Sequence, residues 1–259
     1  MRHVWVTGAG RGIGAAIALA FARQGAALSL SGRNIETLHA QAAQLQSLCP
    51  GVKVHCSAMD VSDAHSVAAA WKSNHTALGC VEVLVNNAGQ ALSQPFAKTD
   101  MALWQQMLNV NLTGSYLCIQ AALPDLLAAG ASGKAARIVN IASTAGLKGY
   151  AYVSAYTAAK HGVIGLTRSL AMELAKKGVT VNAVCPGFTE TDIVRESIAN
   201  IVAKTGQTEQ QAREALVSHN PQKKMIQPDE VANTVLWLCS NAAASVNGQS
   251  IAVDGGETM

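Results

Sequence analysis

Short apolar runs of strand length alternate along this chain with longer, Ala- and Leu-rich stretches of helical length. Residues 4–7, 27–31, 52–57, 83–86, 137–142, 179–184 and 250–253 read as strands. Residues 13–24, 35–48, 64–77, 101–109, 115–129, 153–176, 193–204, 209–218 and 229–240 read as helices. A strand–helix–strand rhythm of this kind predicts parallel pairing, because each parallel connection must cross over the sheet. The expected fold class is α/β: a single Rossmann-type, doubly wound parallel sheet of about seven strands with helices on both faces. No internal repeat, low-complexity segment or linker interrupts the pattern, and the Gly/Ser stretch 130–133 reads as a loop. One domain spanning 1–259 is the expectation.

Composition agrees with that architecture. Hydrophobic residues make up 49% and charged residues 14%, which suits a sheet covered on both faces. The net charge of +3 is too small to point to nucleic acid or to a membrane surface. The longest apolar run, 15–22, is stopped by Arg23 and is too short to span a bilayer. Met1-Arg2-His3 leads straight into an apolar strand, with no signal-peptide pattern. The six cysteines show neither CxxC nor metal-ligand spacing, so the expectation is reduced thiols in a cytoplasmic protein and no metal.

The candidate chemistry begins with Gly8, Gly10, Arg11, Gly12, Ile13 and Gly14, between the first strand and the first helix. Glycines there let the backbone approach a pyrophosphate, which the helix N-terminus stabilises. Further along, Lys160 follows Tyr156 by four residues on a predicted helix, so the two share a face. Neither Tyr150, before the helix, nor Tyr152, two turns from Lys160, has that relation. A phenol is a poor proton shuttle near neutrality unless positive charge beside it lowers its pKa. Ser143 stands thirteen positions before Tyr156.

Together these motifs resemble the short-chain dehydrogenase/reductase family. The TGxxxGxG spacing, Asn86-Asn87-Ala88-Gly89, Ser143, Tyr156-Thr157-Ala158-Ala159-Lys160 and Pro186-Gly187 appear in the family's order over nearly the whole chain. The resemblance implies an NAD(P)-dependent oxidoreductase acting on a CH–OH group, with Ser143, Tyr156 and Lys160 as catalytic residues and Lys160 also on the nicotinamide ribose. A fourth member is implied at Asn111, with Asn109 as its competitor. Asp60 and Val61 resemble the adenine-contacting pair, although Asp60 or Asp63 could equally cap a helix. Asn87, Ala88, Gly89, Pro186, Gly187, Thr189 and Thr191 complete the implied cofactor site. Thr189 stands where many relatives carry an aliphatic residue.

The family's NAD-preferring members place an acid at the end of the second strand. Gly32 stands there, followed by Arg33. With Arg11 in the glycine loop, this favours NADP(H), with NAD(H) possible; either arginine could instead be a solvated loop charge. The segments 141–146 and 159–163 resemble 3-oxoacyl thioester reductases and polyketide ketoreductases, so a 3-oxo group carried on coenzyme A or acyl carrier protein is the leading substrate class. Gln90-Ala91-Leu92 departs from the polyketide pattern. The alternatives are an NAD-dependent dehydrogenase of a small hydroxy acid, 3-hydroxyacyl-CoA, sterol or cyclic alcohol, and a non-enzymatic cofactor-binding regulator, which the presence of Ser143, Tyr156 and Lys160 disfavours. The long polar segment 188–221 reads as a substrate lid. Arg195, Lys204, Lys223 and Lys224 read as surface charges or, less favoured, as phosphate contacts. A homotetramer is implied by the resemblance alone.

Overall fold

The computed structural model describes residues 2–259. Its seven strands, β1 (His3–Thr7), β2 (Ala27–Gly32), β3 (Val54–Ala58), β4 (Val83–Asn86), β5 (Ala136–Ile141), β6 (Val179–Pro186) and β7 (Ser250–Val253), form one sheet. The order is β3-β2-β1-β4-β5-β6-β7 and every pairing is parallel. The winding direction reverses between β1 and β4, the place where ligands sit at the carboxyl ends of such sheets.

Side chains alternate across each strand and so build a core on either face. Val4 and Val6 of β1, Leu28 and Leu30 of β2, and Val83 and Val85 of β4 pack together on one side. They meet Ile17 and Phe21 of α1 (Gly12–Arg23), Leu38 and Leu45 of α2 (Ile35–Leu48), and Val235 and Leu238 of a helix at Pro228–Leu238. Trp5, Leu84 and Ile138 point the other way. They pack on α3 (Ala64–Leu78) and on the helices Gly114–Ala131 and Ser154–Leu174. With α4 (Met101–Leu108) between them, the last two are α5 and α6. The remaining helices are α7 (Asp192–Thr205), α8 (Glu209–Leu216) and α9 (Pro228–Leu238).

Two stretches differ in kind from the sequence reading, while the helices read within 188–221 are present. The segment 130–133 is not wholly loop, since α5 runs through Gly130. A Cβ at Gly130 would stand 2.1 Å from the Lys177 carbonyl oxygen, so that glycine is there for close packing rather than for a break. Asn109–Thr113 forms a single wide π-helical turn joining α4 to α5. The segment 188–221 is mostly a hairpin of α7 and α8, with its own apolar cluster of Val194, Ile198 and Ala212. No helix among the described residues is long and apolar enough to cross a membrane.

At the amino ends of the strands, Asp125 of α5 is 4% exposed. Its Oδ2 accepts from Trp71 Nε1 at 3.2 Å and from the Val81 amide at 3.0 Å, and its Oδ1 lies 3.0 Å from His75 Nδ1. Cys80 Sγ comes within 4.8 Å of this group, but both carboxylate oxygens are already engaged. The cluster is therefore a hydrogen-bonded tie between α3, α5 and the start of β4. Replacing Asp125 with Ala leaves buried donors unpaired and should cost roughly 2–4 kcal/mol in urea unfolding, with little change in activity at the opposite end of the sheet.

Candidate active site

The loop after β1 is held shut by β4. Thr7 Oγ1 accepts from the amides of Asn87 and Ala88, both at 3.0 Å, and Asn87 Nδ2 donates to the Thr7 and Gly8 carbonyls, both at 3.0 Å. Asn87 and Ala88 thus brace the loop, a use that the sequence reading, which placed them against the cofactor, did not foresee. Gly8 has φ +64°, and a Cβ there would lie 2.9 Å from the Ala88 Cα. A Cβ on Gly14 would lie 2.2 Å from the Gly8 carbonyl oxygen. Gly10 approaches the Thr37 methyl and Gly12 the Thr191 methyl. Ile13 packs into the core. Helix α1 begins with no side-chain cap and no acid in its first turn. Its free N–H groups and the bare loop fit a pyrophosphate.

At the end of β2, Gly32 leaves no acid, and the exposed Arg33 lines an open depression with Asn34, Ile35 and Glu36. Asn34 caps α2 by accepting from the Thr37 amide at 3.0 Å. Asp60 accepts from the Ser62 hydroxyl at 2.6 Å and the Ser62 amide at 2.9 Å. The Ser62 hydroxyl, more than the charge of Arg33, holds the Asp60 carboxyl below its ordinary range. Asp63, not Asp60, caps α3. Val61 is buried against Gly114. Arg11 reaches Asp192 at 3.5 Å, with both side chains exposed.

Ser143, Tyr156 and Lys160 gather where β5 and α6 meet. Ser143 follows β5; its Oγ accepts from the Ala145 amide at 3.1 Å, and its hydroxyl donates to the Tyr156 phenol. Lys160 is 5% exposed; its Nζ donates to the Ile141 carbonyl at 2.8 Å and stands 5.6 Å from the Tyr156 ring centre. Asn111 sits in the π turn with Nδ2 donating to the Gln90 and Met107 carbonyls, at 2.9 and 3.0 Å, and Oδ1 accepting from the Gln90 amide at 3.2 Å. A Cβ on Gly89 would be 2.8 Å from Asn111 Oδ1 and 3.6 Å from Lys160 Nζ, so Gly89 lets these groups converge. Asn109 instead pairs with Gln105 on the exposed side. Of the two asparagines, geometry selects Asn111.

Burial pushes the Tyr156 phenol above its ordinary pKa, against the opposing hydrogen bond from Ser143. Burial also pushes Lys160 down to about 8. In this pocket the protein's own groups, burial above all, favour the neutral phenol. Cys185, beneath the site, is pushed up by burial to about 11 and stays a neutral thiol.

Beyond β6, Gly187 lies against Asp254, and the buried Thr189 turns its hydroxyl back onto the Gly187 carbonyl at 3.0 Å. Thr191 begins α7 and places its methyl over Gly12, so the base of the α7–α8 hairpin meets the glycine loop. The surface cations singled out from sequence are largely committed elsewhere. Arg195 pairs with Glu190 and Asp192, Lys224 with Glu230, and Lys223 with the Ser218 carbonyl. Thr7, Asp192, Tyr150 and Glu257 were not identified as contributors to the site region. Only Thr7, adjacent to the glycines, carried a local signal.

Residues 2–201 match the family model described as short chain dehydrogenase. The chain is 36% identical to D-beta-hydroxybutyrate dehydrogenase of Rhizobium meliloti (strain 1021), over 98% of this chain and 97% of that protein. It is also 36% identical to a 3-oxoacyl-(acyl-carrier-protein) reductase of Aquifex aeolicus (strain VF5), over 97% of this chain and 95% of that protein. Among solved structures, a variant of actinorhodin polyketide ketoreductase crystallised with NADPH superposes with a TM-score of 0.93 at 34% identity, covering 99% of this chain and 97% of that one. Motifs, fold and similarity agree: the chain belongs to the short-chain dehydrogenase family and is an NAD(P)-binding oxidoreductase acting on CH–OH or keto groups.

Proposed function

We propose that the protein uses NADPH to reduce a ketone to a secondary alcohol, most favourably the 3-oxo group of an acyl thioester on coenzyme A or acyl carrier protein. The observation that carries this reading is the convergence of Ser143, Tyr156, Lys160 and Asn111 beside a glycine loop, with Gly32 in place of an acid at the end of β2 and Arg33 next to it. The cofactor supplies the hydride. Ser143 turns its hydroxyl from Tyr156 to hydrogen-bond the carbonyl oxygen, and Tyr156 delivers a proton to that oxygen as general acid. Lys160, held by the Ile141 carbonyl, keeps positive charge beside the phenol and reaches toward the ribose hydroxyls. Asn111, fixed at Gln90 and Met107, orders the lysine's surroundings. The α7–α8 hairpin is the lid over this site. The homotetramer belongs to the same reading, supported by the exposed Tyr116 on α5 and Met172 on α6.

The hydroxybutyrate dehydrogenase relative supports a second substrate class, small hydroxy acids, on the same machinery. Following NADPH and NADH at 340 nm with acetoacetyl thioester, acetoacetate and cyclic ketones separates the two. Turnover of acetoacetate but no thioester would overturn the thioester assignment.

In the same assay Tyr156→Phe should lower kcat by at least about a hundredfold while leaving NADPH affinity near wild type. Full activity in that variant would remove the phenol from the mechanism. Lys160 is an ammonium below its pKa of about 8 and a neutral amine above it. Reductive kcat/KM should therefore be level below that pH and fall as pH rises through it. Arg33→Glu should weaken NADPH relative to NADH by about tenfold or more, as a carboxylate repels a 2′-phosphate; an unchanged ratio would show that Arg33 does not read it.

A further inference from the structure

The last turn of the chain carries a buried acid that the mechanism above does not use. The Glu257 side chain is 2% exposed. Its Oε1 accepts from the Tyr150 hydroxyl at 2.6 Å and lies 3.2 Å from Lys148 Nζ, which also donates to the Glu257 carbonyl at 3.2 Å. A phenol has one proton, and here the carboxylate takes it. The Tyr150 oxygen must then accept from Thr144 Oγ1, 2.8 Å away. Thr144 is the neighbour of Ser143 and opens the tight turn Thr144–Gly146 that carries it.

The same carboxylate faces the strand end on the other side of the site. A Cβ on Gly187 would be 3.5 Å from Glu257 Oε2 and 3.2 Å from the Asp254 side chain. Tyr150 packs edge-on against Phe188, with ring centres 6.3 Å apart. The tail is firmly seated. Asp254 accepts from the Gly256 and Thr258 amides, each at 2.9 Å, and from the Thr258 hydroxyl at 2.6 Å. Gly255 presses so closely on Asn220 that a Cβ would stand 2.2 Å from its Oδ1. One side chain from the tail therefore touches both loops that frame the reacting carbonyl.

We propose that Glu257 is a positioning residue: acting through Tyr150 and Thr144, it fixes the turn that aims the Ser143 hydroxyl at the substrate oxygen. This rests on the reading of Ser143 given above. By taking the Tyr150 proton, the carboxylate turns a lone pair of the phenol oxygen toward the Thr144 hydroxyl, and charge-assisted hydrogen bonds of this kind hold geometry tightly. Losing it leaves the Tyr150 hydroxyl without that acceptor, while Lys148 keeps the Glu257 carbonyl, and the turn relaxes.

The test compares Glu257→Ala, Glu257→Gln, Tyr150→Phe and the double variant Glu257→Ala/Tyr150→Phe with Ser143→Ala, using the fastest ketone of the panel. Glu257→Ala and Tyr150→Phe should each lower kcat by about tenfold or more, the scale of a small misalignment. NADPH affinity by fluorescence titration should stay within about twofold, and the double variant should be no slower than the slower single. Glu257→Gln, which keeps the acceptor and loses the charge, should recover part of kcat. Wild-type kcat in both single variants overturns the proposal. So does a loss of NADPH affinity matching the loss of kcat, or an additive double variant, since each indicates general loosening. If Glu257→Ala does not fold, Tyr150→Phe and Glu257→Gln carry the test. Activity surviving in Ser143→Ala would instead sink the reading of Ser143 itself.

Discussion

Everything in this site depends on how closely the chain approaches itself where β1 and β4 diverge. Gly8, Gly14, Thr7 and the Asn87-Ala88 pair occupy a space that admits no further carbon atom: a side chain on Gly14 would begin inside the Gly8 carbonyl and the Asn87 amide. Four hydrogen bonds at 3.0 Å satisfy the inward-facing polar groups of the loop. The unpaired amides are therefore those at the start of α1, where an anion is stabilised. The cradle is built before any ligand arrives, so binding need not order it. The same stretch then runs on to Gly89 and Gln90, which Asn111 grips from the π turn. Cofactor cradle and proton-handling site are thus two ends of one four-residue brace.

The second controlling feature is a charge without a partner acid. Lys160 is buried against the Ile141 carbonyl near a neutral thiol, and among the described residues no carboxylate is bonded to it. Elsewhere the protein pairs its cations freely, as in the chain from Glu209 through Arg213, Glu190, Arg195 and Asp192 to Arg11. An acid beside Lys160 would hold its proton well above neutrality and screen its field from the phenol. With no such acid, burial brings it to about 8, and in the proposed mechanism its charge acts on Tyr156 and on the ribose. The stability lost to a buried ammonium is accepted for function.

The fold was legible because strand and helix periods are strong signals. Val4 and Val6 against Trp5 already announce two faces, and four-residue spacing already joins Tyr156 to Lys160. What the sequence hid are effects of geometry rather than composition. The π turn at Asn111 adds a residue to a helical stretch without altering its polarity, so Asn109 and Asn111 look alike until the backbone is drawn. Gly130 looks like a break and serves as a packing contact. That the Asn87 amide also braces the glycine loop could not be read from its position in the motif. The Tyr150–Glu257 contact joins positions over a hundred residues apart, and no local pattern marks such a pair.

The match to the family model ends at residue 201, inside α7. Upstream lie the glycine loop, the brace, Asn111, Ser143, Tyr156 and Lys160, all fixed to strand ends or to helices packed on the sheet. Downstream lie α8, the turn at Asn220, and the tail that places Glu257 under the Ser143 turn. The chemistry is thus set by the rigid part of the chain, whose geometry the sheet dictates. In the proposed reading, the walls of the substrate space come from segments that pack on a small separate cluster, Val194, Ile198 and Ala212, and on one another. Segments that owe little to the main core can change sequence at small cost to stability. Relatives named for a hydroxybutyrate, an acyl-carrier-protein ester and a polyketide can therefore share one site, and the thioester assignment for this chain must be decided by residues beyond 187 rather than by the catalytic group.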